Sequence, residues 1–185
     1  FNVIPDLATF GKGMANGYPL SAVVGSNEVM QKVEDIFFSG TFAGETLSLA
    51  ATNAVIDKYK NQDVAIYLDE LGRYLLTALN RLIDDKGLQS VFYTSGHPIW
   101  SFLHIEEQEQ YTTFEIKTFF LQEMFKRGIL TLGSHNLSFS HTKADIDKLL
   151  EVYQEVLPMV KQHIDNENLI ENIYGDILQA LFKVR

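Results

Sequence analysis

The sequence predicts an α/β protein whose second half carries a mainly antiparallel sheet, and three observations predict it. Short runs of small and apolar residues bounded by glycine and proline, at Leu7 to Phe10 and Ser21 to Gly25, read as strands. Longer stretches with apolar residues three and four apart, from Thr46 to Tyr59 and from Asp63 to Asp85, read as helices. After Gly87 the pattern changes to strand, strand, helix, strand, strand, helix, an order that builds a small α/β lobe.

Taken in order, the first two strands are short and apolar enough to be buried members of a larger sheet, whose other strands are expected to lie outside this sequence. Asn27 is the expected N-cap of a helix that places Val29, Met30 and Val33 on one face, and Ser39 to Gly44 is a loop ahead of the next helix. In that helix Ala50, Ala51 and Ala54 alternate with Leu47, Leu49, Val55 and Ile56, which suits close packing. The following stripe, Ile66, Leu71, Leu75, Leu79 and Leu82, ends at Lys86-Gly87 and is expected to bridge two domains.

Strands are expected at Val91 to Thr94 and Ile99 to Ile105 around a turn at Ser95-Gly96-His97-Pro98, with Trp100 and Phe102 assigned to the core. A helix over Phe114 to Arg127 then leads to short strands at Ile129 to Leu132 and Asn136 to Ser140. Thr142 and Asp145 form a capping box that opens a last long helix with Ile146, Leu149, Leu150, Tyr153 and Val156 on its buried side. From Asn166 to Arg185, Leu169, Ile170, Ile173, Ile177, Leu178, Leu181 and Phe182 recur at helical spacing, so a docked helical extension is expected. The resulting division is 1–86, 87–165 and 166–185.

Composition excludes several function classes. The 185 residues are 46% hydrophobic, enough for one medium domain or a core with a satellite. A net charge of −9, with no basic cluster, argues against a nucleic-acid partner. There are no cysteines, which removes disulfides, thiolate metal sites and a cysteine nucleophile. No apolar run approaches the roughly 18 residues of a membrane span, so no membrane partner is expected and a cytoplasmic location is the default. His97, His104, His135, His141 and His163 include no metal pair at helical spacing, and no metal site is expected. The run Glu106, Glu107 and Glu109 reads as a solvated loop. Gly11, Gly13 and Gly17 match neither the dinucleotide nor the P-loop spacing.

The chemistry concentrates in the segment from Pro5 to Gly25, where Lys12 sits between glycines at the end of a strand. A lysine so placed can project into a cleft and, once partly desolvated, trap a carbonyl group. The same spacing also fits a solvated turn lysine. Thr41, between Gly40 and Gly44 and just ahead of an apolar helix, suits a loop that presents donors to an anion, and equally an ordinary helix entry.

The wider pattern resembles the class III aminotransferases, a fold type I family of pyridoxal phosphate enzymes that includes glutamate-1-semialdehyde aminomutase. It is carried by Pro5-Asp6 with Thr9 and Lys12-Gly13, by Gly17-Tyr18-Pro19, by Phe38 to Ala51, and by His141-Thr142 with Asp145-Ile146. The resemblance covers about residues 1–165. It implies the end of the large pyridoxal-phosphate-transferase domain followed by a small C-terminal α/β domain. Lys12 is then the Schiff-base lysine and general base of an aminotransferase, with aminomutase as the alternative activity. Gly40 and Thr41 are implied to clamp the cofactor phosphate of a neighbouring subunit, which makes the enzyme a homodimer acting on small amino donors and acceptors.

Two details qualify that picture. Many relatives carry Asn-Pro where this chain has Glu45-Thr46, so an acidic side chain is expected to enter the site. Residue 1 is Phe and Lys12 follows closely, so the chain reads as the C-terminal part of a longer enzyme. By that expectation the phosphate loop, the stacking aromatic and the ring-nitrogen aspartate lie upstream. The competing class is a non-catalytic domain that cannot hold cofactor alone. A cofactor-free lysine aldolase would need a barrel of alternating strands and helices, which the second half does not show. Structural or solvent roles are expected for most of the histidines, while the segment Leu132 to Asn136, which contains His135, is implied by the family to lie near the substrate entrance.

Overall fold

A computed structural model describes residues 3–180, and the chain divides into two compact units between Val64 and Ala65. The N-terminal unit holds strands β1 (Leu7–Phe10) and β2 (Ala22–Gly25), paired antiparallel from Leu7↔Gly25 to Phe10↔Ala22. Gly25 is required there, because a Cβ at that position would run into the Asp6 carbonyl oxygen. Phe10 is 54% and Val24 48% exposed, in keeping with a sheet whose other strands are expected elsewhere. Among the described residues the strands pair only with each other, and a two-stranded ribbon has no second layer to cover its faces.

Helix α1 (Asn27–Met30) is a single turn that tightens into a 3₁₀ segment at Gln31–Asp35. Its N-cap is Ser26, not Asn27, and it makes no side-chain cap bond. Helix α2 (Thr46–Asn61) is capped by Glu45, whose carboxylate accepts from Leu47 N at 2.9 Å and Ser48 N at 2.5 Å. Its buried face is small and polar, Ser48 and Thr52, while Leu47 and Leu49 remain exposed.

The second unit takes its core from helix α3 (Val64–Asp85), a three-stranded sheet and two further helices. Leu68, Leu71, Leu75, Leu79, Leu82 and Ile83 form the buried stripe of α3; Ile66 falls outside it and is exposed. Strands β3 (Phe92–His97) and β4 (Trp100–Ile105) form a hairpin whose last pair is His97↔Trp100. The connection is therefore Pro98-Ile99, two residues beyond the expected turn, and the positive φ of Gly96 serves the strand instead. Pro98 at the tip rests on α3 at Gly72, where any side chain would collide with the Pro98 carbonyl.

Strand alternation puts Ser101 and Leu103 inside and Trp100, Phe102 and His104 on the outer face, which corrects the assignment of Trp100 and Phe102 to the core. Trp100 is 57% exposed. The outer rings stack on one another, with Tyr93 parallel to His104 at 4.5 Å.

Helix α4 (Thr113–Lys126) is opened by a capping box between Thr112 and Glu115, and α5 (Lys143–Asp165) by the expected one between Thr142 and Asp145. The two strands expected between these helices are replaced by a single one, β5 (Ser134–Asn136), paired to β4. Ile129 is consumed in ending α4, its N–H bonding Met124 O beyond the left-handed Gly128. Leu130 is consequently exposed, and Thr131 Oγ1 accepts from Gly133 N to turn the chain into β5. Ser138 and His141 close the turn that ends the second expected strand.

The tail is not the expected helix among its described residues, Asn166 to Ala180. After a 3₁₀ turn at Ile170–Asn172 it runs across α4 without regular structure, its backbone donors taken by side chains. Gln122 donates to Asn172 O and accepts from Tyr174 N, and Thr118 Oγ1 accepts from Leu178 N. Gly175, in a left-handed conformation, breaks the helical run. Leu181 and Phe182 of the expected pattern lie outside the described residues.

Candidate active site

Strand β1 ends at Phe10, and Gly11 leads into a 3₁₀ turn at Lys12–Met14. Lys12 and Asn16 both hold left-handed backbone conformations, φ 50 and 48°, and Gly17 follows at 109°. For side chains other than glycine this region is sparsely populated, and it recurs where surrounding structure over-determines a functional turn. The bonds that determine it here are Met14 N to Gly11 O at 3.1 Å, Asn16 N to Lys12 O at 3.2 Å and Tyr18 N to Ala15 O at 3.3 Å. Ala15, 1% exposed, anchors the turn, and the 3₁₀ segment lies against α2, whose small buried residues permit the approach.

The turn encloses an open cavity of ≈ 420 Å³ lined by Lys12, Gly13, Asn16, Gly17, Tyr18 and Pro19. The Lys12 side chain makes no hydrogen bond or ion pair among the described residues, and Lys12 is the one charged residue that lines that space. A Cβ on Gly13 or Gly17 would meet nothing, so the glycines leave room beside the amine. A primary amine without a partner, flanked by open space and a flat ring, suits a carbonyl compound of small size.

Gly40 and Thr41 do not line this cavity. They lie in the exposed turn before α2, closed by Ala43 N to Gly40 O at 3.1 Å and Glu45 N to Phe42 O at 3.0 Å. The Thr41 hydroxyl has no partner among the described residues. Glu45, expected to enter the site, instead folds back onto the α2 N-terminus and takes the amides of Leu47 and Ser48. Sequence reasoning missed that role because Glu is uncommon at an N-cap, although Glu45-Thr46-Leu47-Ser48 does place an acceptor ahead of a helical run.

His135 lies away from this turn in sequence and belongs to the second unit. It is 5% exposed in the core of the second unit, its Nδ1 3.0 Å from Ser101 Oγ and its Nε2 2.8 Å from Tyr153 Oη. Burial pushes its pKa down to about 4 and that of the Tyr153 phenol up. A neutral ring bonded at both nitrogens has no free valence for a substrate, so its role is to pin β5 and α5 together. Among the described residues no three His, Asp or Glu side chains gather to hold a metal ion, and no helix is long and apolar enough to cross a membrane.

Comparison with known proteins assigns the chain to a family. Residues 1–157 match the family model described as aminotransferase class-III, and the chain belongs to that family. It is 28% identical over 174 residues to a glutamate-1-semialdehyde 2,1-aminomutase of Methanosarcina acetivorans, covering 85% of this chain and 40% of that protein. A 3-aminobutyryl-CoA aminotransferase of Cloacimonas acidaminovorans is 27% identical over 165 residues, covering 88% of this chain and 39% of that one. Among solved structures, the FumI protein of Sphingopyxis sp. MTA144, in its PLP internal aldimine form, superposes with a TM-score of 0.71 at 25% identity, covering 87% of this chain and 38% of that one. The fold is therefore that of the pyridoxal phosphate transferases, and the chain spans about 40% of the length of the curated relatives it matches.

Proposed function

We propose that the chain is part of a pyridoxal-phosphate-dependent aminotransferase and that Lys12 is its cofactor lysine. The observation that carries this is the partner-free amine of Lys12, held in a left-handed turn over an open cavity within the segment that matches the family. Bound pyridoxal phosphate would supply the electron sink for charge developing at the substrate α-carbon. Lys12 would anchor it through Nζ, give way when a substrate amine arrives and, as a free base, move the proton at that carbon. The left-handed turn would return Nζ to one place in each half-reaction.

Thr41 and Gly40 are proposed to receive the cofactor phosphate of a second copy. Two features support this: the Thr41 hydroxyl has no partner among the described residues, and the apolar side chains around it, Phe37, Phe38 and Phe42, are exposed as an interface would need. With Glu45 occupying the α2 N-terminus, the Thr41 turn and not the helix end would meet the phosphate. The enzyme would then be a homodimer using small amino donors and acceptors, and its acidic, cysteine-free composition suits the cytoplasm.

Both aminomutase and aminotransferase relatives support an amino-group reaction at this lysine. In the full-length protein, isotopic nitrogen appearing in a separate acceptor identifies transfer, whereas retention within one rearranged molecule identifies the mutase. Neither activity above that of a Lys12→Ala variant would refute the proposal.

A further inference from the structure

Tyr18 faces the same cavity as Lys12, yet nothing in the lysine chemistry uses it. Its backbone is fixed twice, by Tyr18 N to Ala15 O at 3.3 Å and by Leu20 N to Tyr18 O at 2.9 Å, the second closing a tight turn over Pro19. The left-handed pair Asn16 and Gly17 reverses the chain, and Tyr18, six residues after Lys12, lines the same cavity as that lysine. The ring is 51% exposed and its hydroxyl has no partner among the described residues. A rigidly presented, half-exposed aromatic at a reactive amine is placed to stack on a flat ligand.

We propose that Tyr18 is a specificity-determining wall of the Lys12 site that favours planar aromatic carbonyl compounds over aliphatic ones. The proposal rests on Lys12 being the reactive amine of the site. Asn16 is the positioning residue: its left-handed backbone sets where the ring stands, and glycine can replace it while a β-branched residue opposes that conformation.

The test uses the chain as it is, with benzaldehyde and propionaldehyde as probes and cyanoborohydride as reductant. Lys12 Nζ attacks the aldehyde carbon, the carbonyl oxygen leaves as water, and hydride from the reductant converts the imine to a stable secondary amine. Peptide mapping gives the aromatic-to-aliphatic ratio at Lys12 and, as an internal reference, at Lys32, whose side chain is 78% exposed.

The ratio at Lys12 is expected to exceed that at Lys32 by about twofold to tenfold, the range an aromatic pair contributes beyond its buried area. Tyr18→Phe and Asn16→Gly keep the excess, while Tyr18→Ala and Asn16→Val lose it. Equal ratios at the two lysines in the unaltered chain, or an excess that survives Tyr18→Ala, would overturn the proposal. If the full-length protein fails to load pyridoxal phosphate on Lys12 while the excess persists, the aminotransferase assignment fails and the aromatic wall stands.

Discussion

Replacing Gly72 by alanine sets two effects of opposite sign against each other in the middle of α3. In a helix interior alanine is favoured over glycine by about 1 kcal/mol, so a Gly72→Ala substitution on a free helix face would stabilise the protein. Here the new Cβ would lie inside the van der Waals radii of the Pro98 carbonyl carbon and oxygen and 3.1 Å from its Cα. Those are backbone atoms at the tip of a two-residue hairpin connection, so no rotamer change relieves the clash. The tip must lift away from α3. Overpacking of this kind costs about 1–3 kcal/mol, which offsets the propensity gain and leaves a net loss of up to about 2 kcal/mol. The single tryptophan, Trp100, sits on that hairpin, so its fluorescence during urea unfolding reports on this unit directly. A lower urea midpoint with an unchanged slope is expected. A rise of ~1 kcal/mol would show that helix propensity alone governs the site and that the hairpin tip does not rest on Gly72.

Three further outcomes follow from the second unit. His135 is held neutral, with a folded pKa of about 4 against 6.5 ordinarily, so stability is full above 6.5 and falls as the pH drops towards 4. At ~1.4 kcal/mol per pH unit the loss is about 3 kcal/mol, and a His135→Gln variant should lack that slope in urea titrations across the window. Burial would raise the Glu123 carboxyl, but hydrogen bonds from Lys126, Arg127 and Gln122 outweigh it and hold the group at about 2. Its contribution is present above 4.5 and is lost as pH falls through 2, and Glu123→Gln should cost about 2 kcal/mol at neutral pH by thermal unfolding. Gln122→Ala removes both bonds that hold Asn172 and Tyr174, so hydrogen exchange at the Tyr174 amide should speed by about tenfold while the global transition moves by roughly 1 kcal/mol or less.

Much of this was legible from the residues alone. The stripe of α3, the long helix α5 and the capping box of Thr142 with Asp145 are written as spacing, and spacing survives into structure when an apolar face has something to cover it. Thr112 with Glu115 obeys the same rule and could have been found the same way. Two of the failures share a cause, namely backbone groups committed to other partners. Leu130 and Leu132 looked like a strand, but Gly128 and Thr131 commit the neighbouring amides to a helix cap and a turn. The tail carried helical periodicity, yet Gln122 and Thr118 bind its amides from α4, and no pattern within the tail reveals a partner fifty residues away.

At the site, Lys12 and its glycines could be singled out because a lysine between glycines at a strand end is a local pattern. The place of Tyr18 in the same cavity could not, since it depends on how the chain reverses at Asn16. Trp100 and Phe102 show the parity problem of a strand. Alternation says that Trp100, Phe102 and His104 share a face, and only the layer above Ser101 and Leu103 says which face is inside.

The central claim is that Lys12 carries pyridoxal phosphate. The full-length protein and its Lys12→Ala variant would be mixed with pyridoxal phosphate, the visible imine band recorded, and the adduct reduced with borohydride and mapped to a peptide. The account predicts one equivalent of label on Lys12 and neither band nor label at that position in the variant. Label scattered over exposed lysines such as Lys32, at the same level with and without Lys12, would contradict it.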